Sequence, residues 1–241
     1  SGHLGGANAL ARRLAAVCGA VPVITTATDL HGLFAVDEWA KRQSCVVAEP
    51  ERIKRVSGAL LAGKCVHFTT DWPIRGTPPA GVLPAADGSA DFALTLTPTG
   101  QELHIVPRIA VLGIGCRRGK TAEHLEAAFA DFCRESGLAP QGVAAAASID
   151  LKRDEPGLAA FCRDHGWDMD FYTAAQLRAV PGSFTASSFV TSVTGVDNVC
   201  ERAAVLAGGK LLLPKWARDG VTFAAALRPF APDWRWRDDE P

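Results

Sequence analysis

Short apolar runs alternate with stretches of helical period along most of the chain. The apolar runs predict strands at residues 21–24, 46–47, 65–68, 92–96, 103–106, 109–114, 143–147, 169–171, 211–213 and 221–225. The stretches with a period of 3.6 predict helices at residues 8–18, 50–61, 122–136, 155–165 and 196–206. Alternation of strand and helix is typical of an α/β fold, here two or three small units with largely parallel sheets.

Breaks in this pattern divide the chain into predicted units at residues 1–45, 46–106 and 107–229, followed by a tail at 230–241. In the first unit Asn8 is a candidate helix cap, an apolar helical face follows, and Gly19 is a stop signal. Residues 72–91 are rich in proline and glycine and show no period, which predicts a structureless lid or connector. The polar tail is predicted to fray.

Composition narrows the class of protein. The chain has 241 residues, of which 48% are hydrophobic and 21% charged, and these proportions are typical of a globular protein. A net charge of -1 argues against a general binder of nucleic acid, and no apolar run reaches the roughly 18 residues of a membrane span. The seven scattered cysteines lack C-x-x-C spacing, which favours a reducing cytoplasm and argues against a zinc site. Because the chain starts at Ser1 and has a single methionine, Met169, we expect a segment to precede it.

The sharpest motif is Gly-Ile-Gly-Cys-Arg-Arg-Gly-Lys-Thr at residues 113–121, directly after a predicted strand. It invites comparison with a phosphate-binding loop, but Ile114 occupies the position where that loop needs glycine. What remains is a glycine-lined turn with the cations Arg117, Arg118 and Lys120, which favours binding of carboxylate or phosphate. The alternative is a tight turn with solvated arginines. Cys116, flanked by cations, is a candidate nucleophile if its pKa is lowered, or else a small packed residue.

Three other segments place polar residues near predicted strand ends or helix starts. Ser148, Asp150 and Lys152 alternate along one segment and are predicted to share a face, although Asp154 there also suits a helix cap. His3 in the glycine-rich start is a candidate general base, and Asp29 after residues 21–24 is positioned to orient it or to act itself.

The last of these segments is Thr-Gly-Val-Asp-Asn-Val-Cys-Glu-Arg-Ala-Ala at residues 194–204, a loop that runs into an alanine-rich helix. Glu201 on that helix is a candidate site residue, and a solvated helix face is the alternative.

Five motifs together resemble the cobalt-precorrin-5A hydrolases of anaerobic cobalamin biosynthesis, the CbiG-type proteins. The motifs are SGHLGGAN, PVITTATD, GIGCRRG, SIDLKRDE and TGVDNVCERAA, in that order over essentially the whole chain. The resemblance implies a hydrolase that opens the δ-lactone on ring A of a cobalt corrinoid and expels the C20 meso carbon with its methyl group as acetaldehyde. It also implies that a further half-domain precedes Ser1.

The resemblance also implies what the chain binds. Arg117, Arg118, Lys120 and Lys152 are expected to bind the carboxylates of the corrinoid, with Cys116, Ser148, Asp150 and Glu201 as further contacts. Lactone opening needs a base and donors for an oxyanion, and His3 or Asp29 is expected as the base, with Asn8, Thr26 or the backbone near Gly5 and Gly6 as a donor. The enzyme needs no cofactor of its own, because the cobalt belongs to the substrate. We expect a cytoplasmic protein without nucleic-acid or membrane partners; a homodimer and a non-catalytic corrinoid-binding role are left open.

Overall fold

The computed structural model describes residues 7–20, 32–86, 88–186, 191–192 and 194–237. The chain forms two compact units, of which the first comprises Ser1–Pro107 and Ala231–Pro241 and the second Arg108–Phe230. Each unit contains one five-stranded sheet together with helices, so the predicted α/β class is confirmed. No helix in the described ranges is long and apolar enough to cross a membrane.

The first unit is built on a mostly parallel sheet. Its helices are α1 (Ala7–Cys18), α2 (Val36–Arg42) and α3 (Ile53–Leu61). Its strands are β1 (Cys45–Val47), β2 (Val66–Thr70), β3 (Val82–Pro84), β4 (Phe92–Leu94) and β5 (Leu103–Pro107). The sheet order is β1-β5-β4-β2-β3, and only β1 runs antiparallel to its neighbour among these strands.

An aromatic cluster forms the core of the first unit and includes a residue of the predicted tail. Trp234 is 5% exposed, its ring stacks on Trp39 at 5.2 Å, and it meets the Phe68 ring edge-on at 4.8 Å. The indole of Trp39 also donates a hydrogen bond of 2.7 Å to the carbonyl of Asp233. The prediction that the tail frays from Trp234 onward is therefore wrong for Trp234 itself, because a large aromatic side chain gains more from burial than the chain loses on ordering.

Residues 72–91 are also more regular than predicted. Strand β3 lies inside this segment and pairs parallel to β2. The backbone N–H of Arg75 donates to Pro232 at 2.8 Å, and the Arg75 carbonyl accepts from Trp234 at 3.2 Å. The expectation of a structureless lid fails because these hydrogen bonds depend on distant parts of the chain, which a local count of proline and glycine does not detect.

Helix α1 differs from the prediction in its first residue and in the exposure of its apolar face. Asn8 lies within α1 and is therefore not its cap, while Gly19 follows the helix end with a φ of 63° as expected. The predicted apolar face of α1 is exposed, since Leu10, Leu14 and Val17 are 56%, 55% and 85% accessible. The strand predicted at residues 21–24 lies outside the described residues.

The second unit combines parallel strands with an antiparallel hairpin. Its helices are α4 (Ala122–Ser136), α5 (Pro156–Asp164), α6 (Ala174–Ala179) and α7 (Cys200–Gly208). Its strands are β6 (Ala110–Cys116), β7 (Val143–Ile149), β8 (Asp168–Tyr172), β9 (Lys210–Arg218) and β10 (Val221–Leu227). The order is β8-β7-β6-β10-β9, in which β6, β7 and β8 are parallel and β10 runs antiparallel to both β6 and β9.

Most predicted elements of this unit are confirmed, and α4 has the predicted bounds. Thr121 caps α4 by accepting a hydrogen bond from the His124 N–H, and Gly137 ends the helix with a φ of 75°. Helix α6, with its capping box of Thr173 and Gln176, was missed because it has only six residues. Helix α7 begins at Cys200 rather than at residue 196, because the preceding residues form the loop described below.

Candidate functional site

A cavity of about 620 Å³ opens at the carboxyl ends of the parallel strands β6 and β7 in the second unit. Ligands of open α/β sheets bind at this edge, since loops diverge there and leave a crevice. The lining comes from the turns after β6 and β7, the loop before α7, and the β9–β10 hairpin; it comprises Gly115, Cys116, Arg117, Arg118, Ile149, Leu151, Lys152, Glu155, Thr194, Asn198, Val199, Cys200, Lys215, Ala217, Gly220 and Thr222. The lining is thus a mixture of apolar side chains and cations.

The two glycines of the motif in β6 allow neighbouring elements to approach the strand closely. A Cβ atom on Gly113 would overlap the carbonyl oxygen of Cys200 and would lie 2.9 Å from Cβ of Ala204. A Cβ atom on Gly115 would lie 2.5 Å from the hydroxyl oxygen of Thr222, which donates to the Gly115 carbonyl. These positions accept only glycine without rearrangement, so the motif shapes the cavity wall through packing.

Arg117 and Arg118 follow β6 and are exposed at the cavity. The backbone N–H of Arg117 donates to Gly220 at 2.8 Å, and its side chain lies over that glycine, where a Cβ atom would come within 2.7 Å of Arg117 Cδ. Among the described residues, neither guanidinium forms an ion pair. The two arginines therefore present positive charge to the cavity, and no carboxylate in the described ranges is paired with them.

Glu155 joins the two turns that carry the cations. Its carboxylate accepts hydrogen bonds from the Gly119 N–H at 2.9 Å and from Lys152 Nζ at 3.0 Å. The Gly119 hydrogen bond, followed by the contact with Lys152, lowers the pKa of Glu155 despite its burial. The backbone N–H of Gly119 is thus occupied by a protein carboxylate, and Lys152 is already paired.

Lys120 is half-buried and does not line the cavity. Its carbonyl packs against Gly157 of α5, where a Cβ atom would overlap it. Its backbone therefore belongs to the contact between the turn and α5, and its predicted role in substrate binding remains a prediction.

Ser148, Asp150 and Lys152 do not share one face. Ser148 is fully buried and donates a hydrogen bond of 2.7 Å to the Ile114 carbonyl, so it joins β7 to β6. Asp150–Lys152 forms a short 3-10 helix, which ends the strand alternation on which the prediction depended. Asp154 is not the cap either, since Glu155 is the residue before α5 and Pro156 is its first residue. Of these three side chains, only that of Lys152 lines the cavity.

Glu201 is a buried structural carboxylate and not an exposed helical residue. It is 1% exposed, and it accepts from the backbone N–H of Thr185 at 2.8 Å, from Thr185 Oγ1 at 2.9 Å and from Asn198 Nδ2 at 2.8 Å. The backbone N–H of Lys215 donates to the same carboxylate at 2.6 Å. These donors satisfy the charge inside the unit, so Glu201 orders the cavity wall and does not line it.

The other polar residues of the same motif are also partnered internally. Asn198 Oδ1 accepts from the Glu201 N–H at 2.8 Å, in the manner of a helix cap. Arg202 binds Asp197 through Nε at 2.8 Å and donates to the carbonyls of Leu177 and Val180. The motif at residues 194–204 therefore acts mainly as the scaffold of α7 and of the loop before it.

The two cavity cysteines are poor nucleophiles as they stand. Burial raises the pKa of Cys116, and the nearby Lys152 only partly offsets it. Burial also raises the pKa of Cys200 to about 11. The hypothesis of a lowered pKa at Cys116 is wrong, because desolvation of the thiolate outweighs the cations around it.

The predicted catalytic residues belong to the first unit. His3, Thr26 and Asp29 lie outside the described residues, and Asn8 is described only through its place in α1. Their roles stay predictions. In the described part of the chain no group of three or more His, Cys, Asp or Glu side chains is placed to hold a metal ion.

Several cavity residues were missed by sequence reasoning, among them Leu151, Lys215 and Thr222. Leu151 is 62% exposed, Lys215 is on β9 and Thr222 is on β10. The last two reach the site only because the β9–β10 hairpin folds back antiparallel to β6, and this pairing is not encoded in any local motif. Only the exposed leucine, placed between two polar residues after a buried strand, left a signal in the sequence.

A buried histidine ties together part of the first unit. The His104 side chain is 3% exposed, and its Nδ1 lies 2.9 Å from Glu49 Oε1 while its Nε2 lies 2.9 Å from the Thr99 carbonyl. Both partners are acceptors, so both ring nitrogens carry protons. Burial alone would lower the pKa of His104, but the bonds to Glu49 and Thr99 raise it overall. The pair is therefore a partly buried ion pair joining β5 to the turn after β1.

Comparison with known proteins gives matches along most of the chain. Family models described as "Cobalamin synthesis G N-terminal", "Cobalamin biosynthesis central region" and "Cobalamin synthesis G C-terminus" match residues 1–29, 34–91 and 110–226. A relative from Priestia megaterium named cobalt-precorrin-5A hydrolase is 30% identical, with 95% of this chain and 68% of the relative covered. One of the same name from Salmonella typhimurium is 35% identical, with 94% and 70% covered. A crystal structure of CobE, a protein of the cobalamin biosynthetic pathway, is 34% identical with a TM-score of 0.47, over 52% of this chain and 94% of that one.

Proposed function

The chain belongs to the cobalamin synthesis G family, and from this membership we infer that it is a cobalt-precorrin-5A hydrolase whose second unit binds the substrate's carboxylates. The observation that carries the activity is the identity of 30% and 35% to two relatives of that name, each aligned over at least 94% of this chain. The protein is thus an enzyme of cobalamin synthesis. Its seven free cysteines agree with a cytoplasmic enzyme.

The reaction that we propose is hydrolytic. Water adds to the carbonyl of the ring A δ-lactone and the ring carbon–oxygen bond breaks, which leaves a carboxylate and a hydroxyl group. The hydroxyl group is on the C20 meso carbon, and as it loses its proton the bond from C20 to the ring breaks, so that C20 leaves with its methyl group as acetaldehyde. The ring carbon keeps the electron pair and takes up a proton, and cobalt-precorrin-5B remains. The cobalt ion stays in the macrocycle throughout, so it is part of the substrate and no cofactor of the enzyme is needed.

The cavity of the second unit has the chemistry that this substrate requires. A corrinoid precursor is a large, partly apolar ring whose edge carries several acetate and propionate groups. Ile149, Leu151 and Val199 offer apolar surface, while Arg117 and Arg118 offer planar cations at the rim. An exposed apolar side chain such as Leu151 is suited to the face of the ring, and the guanidinium groups are suited to the carboxylates at its edge.

The general base is proposed in the first unit. A histidine with an ordinary pKa of about 6.5 is largely neutral at cytoplasmic pH and can accept a proton from water. We therefore assign this role to His3, with Asp29 holding its ring in one tautomer, and Asn8 or Thr26 donating to the oxyanion. These assignments are supported by the chemistry of lactone opening and by the resemblance of the surrounding motifs.

The test separates binding from turnover. The wild-type chain is expected to release acetaldehyde from cobalt-precorrin-5A, measured with a coupled dehydrogenase. Changing His3 to Ala should lower turnover by about 10²–10⁴-fold with most of the binding retained. Changing Arg117 to Ala should weaken corrinoid binding by about 10–100-fold, because a charge-assisted contact is lost.

Two outcomes would contradict the proposal. Tight corrinoid binding by the wild-type chain without release of acetaldehyde would indicate the non-catalytic binding role. Unchanged affinity of the Arg117 variant, followed by corrinoid absorbance, would remove the second unit's cavity from substrate binding.

A further inference from the structure

Strand β9 carries a bulge at the point where it borders the cavity. Phe223 of β10 pairs with Trp216, whereas Ala225, two residues on, pairs with Leu213. Two residues of β9, Pro214 and Lys215, therefore stand against the single residue Ala224. A bulge of this kind turns a side chain away from its regular direction and is common beside binding sites.

The bulge is held in place by the buried carboxylate of Glu201. Pro214 has no N–H, so the bulge leaves only the N–H of Lys215 without a partner in the ladder. That N–H donates to Glu201 Oε1 at 2.6 Å. The same carboxylate is bound by the exposed Thr185 and the buried Asn198, so the backbone of Lys215 is tied to a network centred on the buried side chains of Glu201 and Asn198. The buried charge of Glu201 thus fixes the backbone of Lys215.

The side chain of Lys215 lines the cavity together with Arg117 and Arg118. Within the described part of the chain its ammonium group forms no ion pair, whereas Lys152 is bound to Glu155 at 3.0 Å. The two lysines of the cavity therefore differ: Glu155 balances the charge of Lys152, whereas no carboxylate that the structure describes is paired with Lys215.

We propose that Lys215 is a specificity-determining residue that binds a carboxylate of the corrinoid substrate from the β9 side of the cavity. The inference rests on the proposed function, and it assigns this role to a residue outside all five sequence motifs. In this arrangement Arg117, Arg118 and Lys215 recognise the carboxylates, while Lys152 and Glu155 hold the turns that carry the arginines.

The experiment compares Lys215→Met with Lys210→Met. Both changes remove one charge from β9 and keep most of the apolar stem, but Lys210 does not line the cavity. Binding is titrated with cobyrinic acid, a cobalt corrinoid with free carboxylates, and with cobinamide, in which the corresponding groups are amides. Acetaldehyde release is measured in parallel.

Lys215→Met is expected to weaken binding of cobyrinic acid about tenfold, the effect of losing one charge-assisted contact at a partly exposed site. Binding of cobinamide should change little, and the KM for cobalt-precorrin-5A should rise while kcat stays near the wild-type value. Lys210→Met should bind both corrinoids as the wild type does. Lys215→Arg, which restores the charge, should recover most of the affinity.

Equal affinity of Lys215→Met and Lys210→Met for cobyrinic acid would overturn the proposal, as would an equal loss for the amidated corrinoid. Failure of the wild-type chain to release acetaldehyde would instead refute the proposed reaction, and the titration would still decide the role of Lys215. If Lys215→Met does not fold, Lys215→Gln provides the same comparison, and a thermal melt of each variant checks its fold.

Discussion

Replacing Gly113 by alanine is expected to damage both the stability of the second unit and the cavity. The new methyl group would overlap the carbonyl oxygen of Cys200, and it would lie 2.8 Å from the carbonyl carbon of that residue and 2.9 Å from Cβ of Ala204. Carbon atoms in contact are normally 3.5–4.0 Å apart, so helix α7 and strand β6 must separate by about 1 Å. Both obstacles belong to helix α7, the backbone carbonyl of Cys200 and the Cβ atom of Ala204, and neither can turn aside as a flexible side chain would.

The expected cost follows from this geometry. Overpacking in a close-packed interior costs about 1–3 kcal/mol, and contact with backbone atoms places this variant near the upper value. For a domain of this size such a loss lowers the melting temperature by about 10 °C. Because α7 and the loop before it carry Asn198, Val199 and Cys200 of the cavity, a shift of about 1 Å should also lower kcat/KM by about 10²-fold.

The assay is calorimetry of the purified chain, with corrinoid titration and acetaldehyde release measured on the same preparation. Gly58→Ala is the matched control, since Gly58 is exposed in α3 and a Cβ atom there meets nothing within 4 Å. This control should stabilise the first unit by about 0.5–1 kcal/mol through helix propensity and leave activity unchanged. A melting temperature of Gly113→Ala within about 1 °C of the wild type would refute the close approach of α7 to β6.

Three further outcomes are expected. Since the pKa of His104 is raised in the fold, its stabilising effect is present below its unfolded pKa of about 6.5 and is lost as pH rises through the higher folded pKa. The free energy of unfolding, measured by chemical denaturation, should therefore fall with pH over this range, and His104→Gln should abolish that dependence. An unaltered pH dependence in the variant would contradict the ion pair with Glu49. Cys116 should react with iodoacetamide at pH 8 more slowly than the exposed Cys65, by mass spectrometry, and faster labelling of Cys116 would restore the hypothesis of a nucleophile. Trypsin should cut slowly after Arg75, whose backbone N–H and carbonyl are both hydrogen-bonded; rapid cleavage there would show that the segment opens readily.

The regular elements were predictable because they depend on local pattern. Apolar spacing and a following glycine defined α4 with its observed bounds, and the short apolar runs marked most strands to within a few residues. The prediction failed where a long-range contact decided the outcome. Trp234 lies in a polar tail but is buried against Trp39, and no window of sequence connects the two.

The candidate site was predictable in its position and less so in its chemistry. The turn at Arg117 and Arg118 does line a cavity at the end of a strand, as expected for this fold. Ser148 at a strand end and Glu201 on a helix are both predicted ligand contacts, yet both are satisfied by the protein itself. A motif shows that a polar group is needed, and only the structure shows whether its partner is a ligand or the backbone.

The first and last strands of the second unit bring its two ends next to each other in space. The N–H of Arg228 donates to the Ile109 carbonyl at 2.9 Å, and Leu227 pairs with Ala110. The first unit, in contrast, is interrupted at Pro107 and resumes at Ala231. The second unit is therefore an insertion whose two ends lie together, whereas the core of the first unit can close only after residues 108–230 have been synthesised and Trp234 can pack against Trp39.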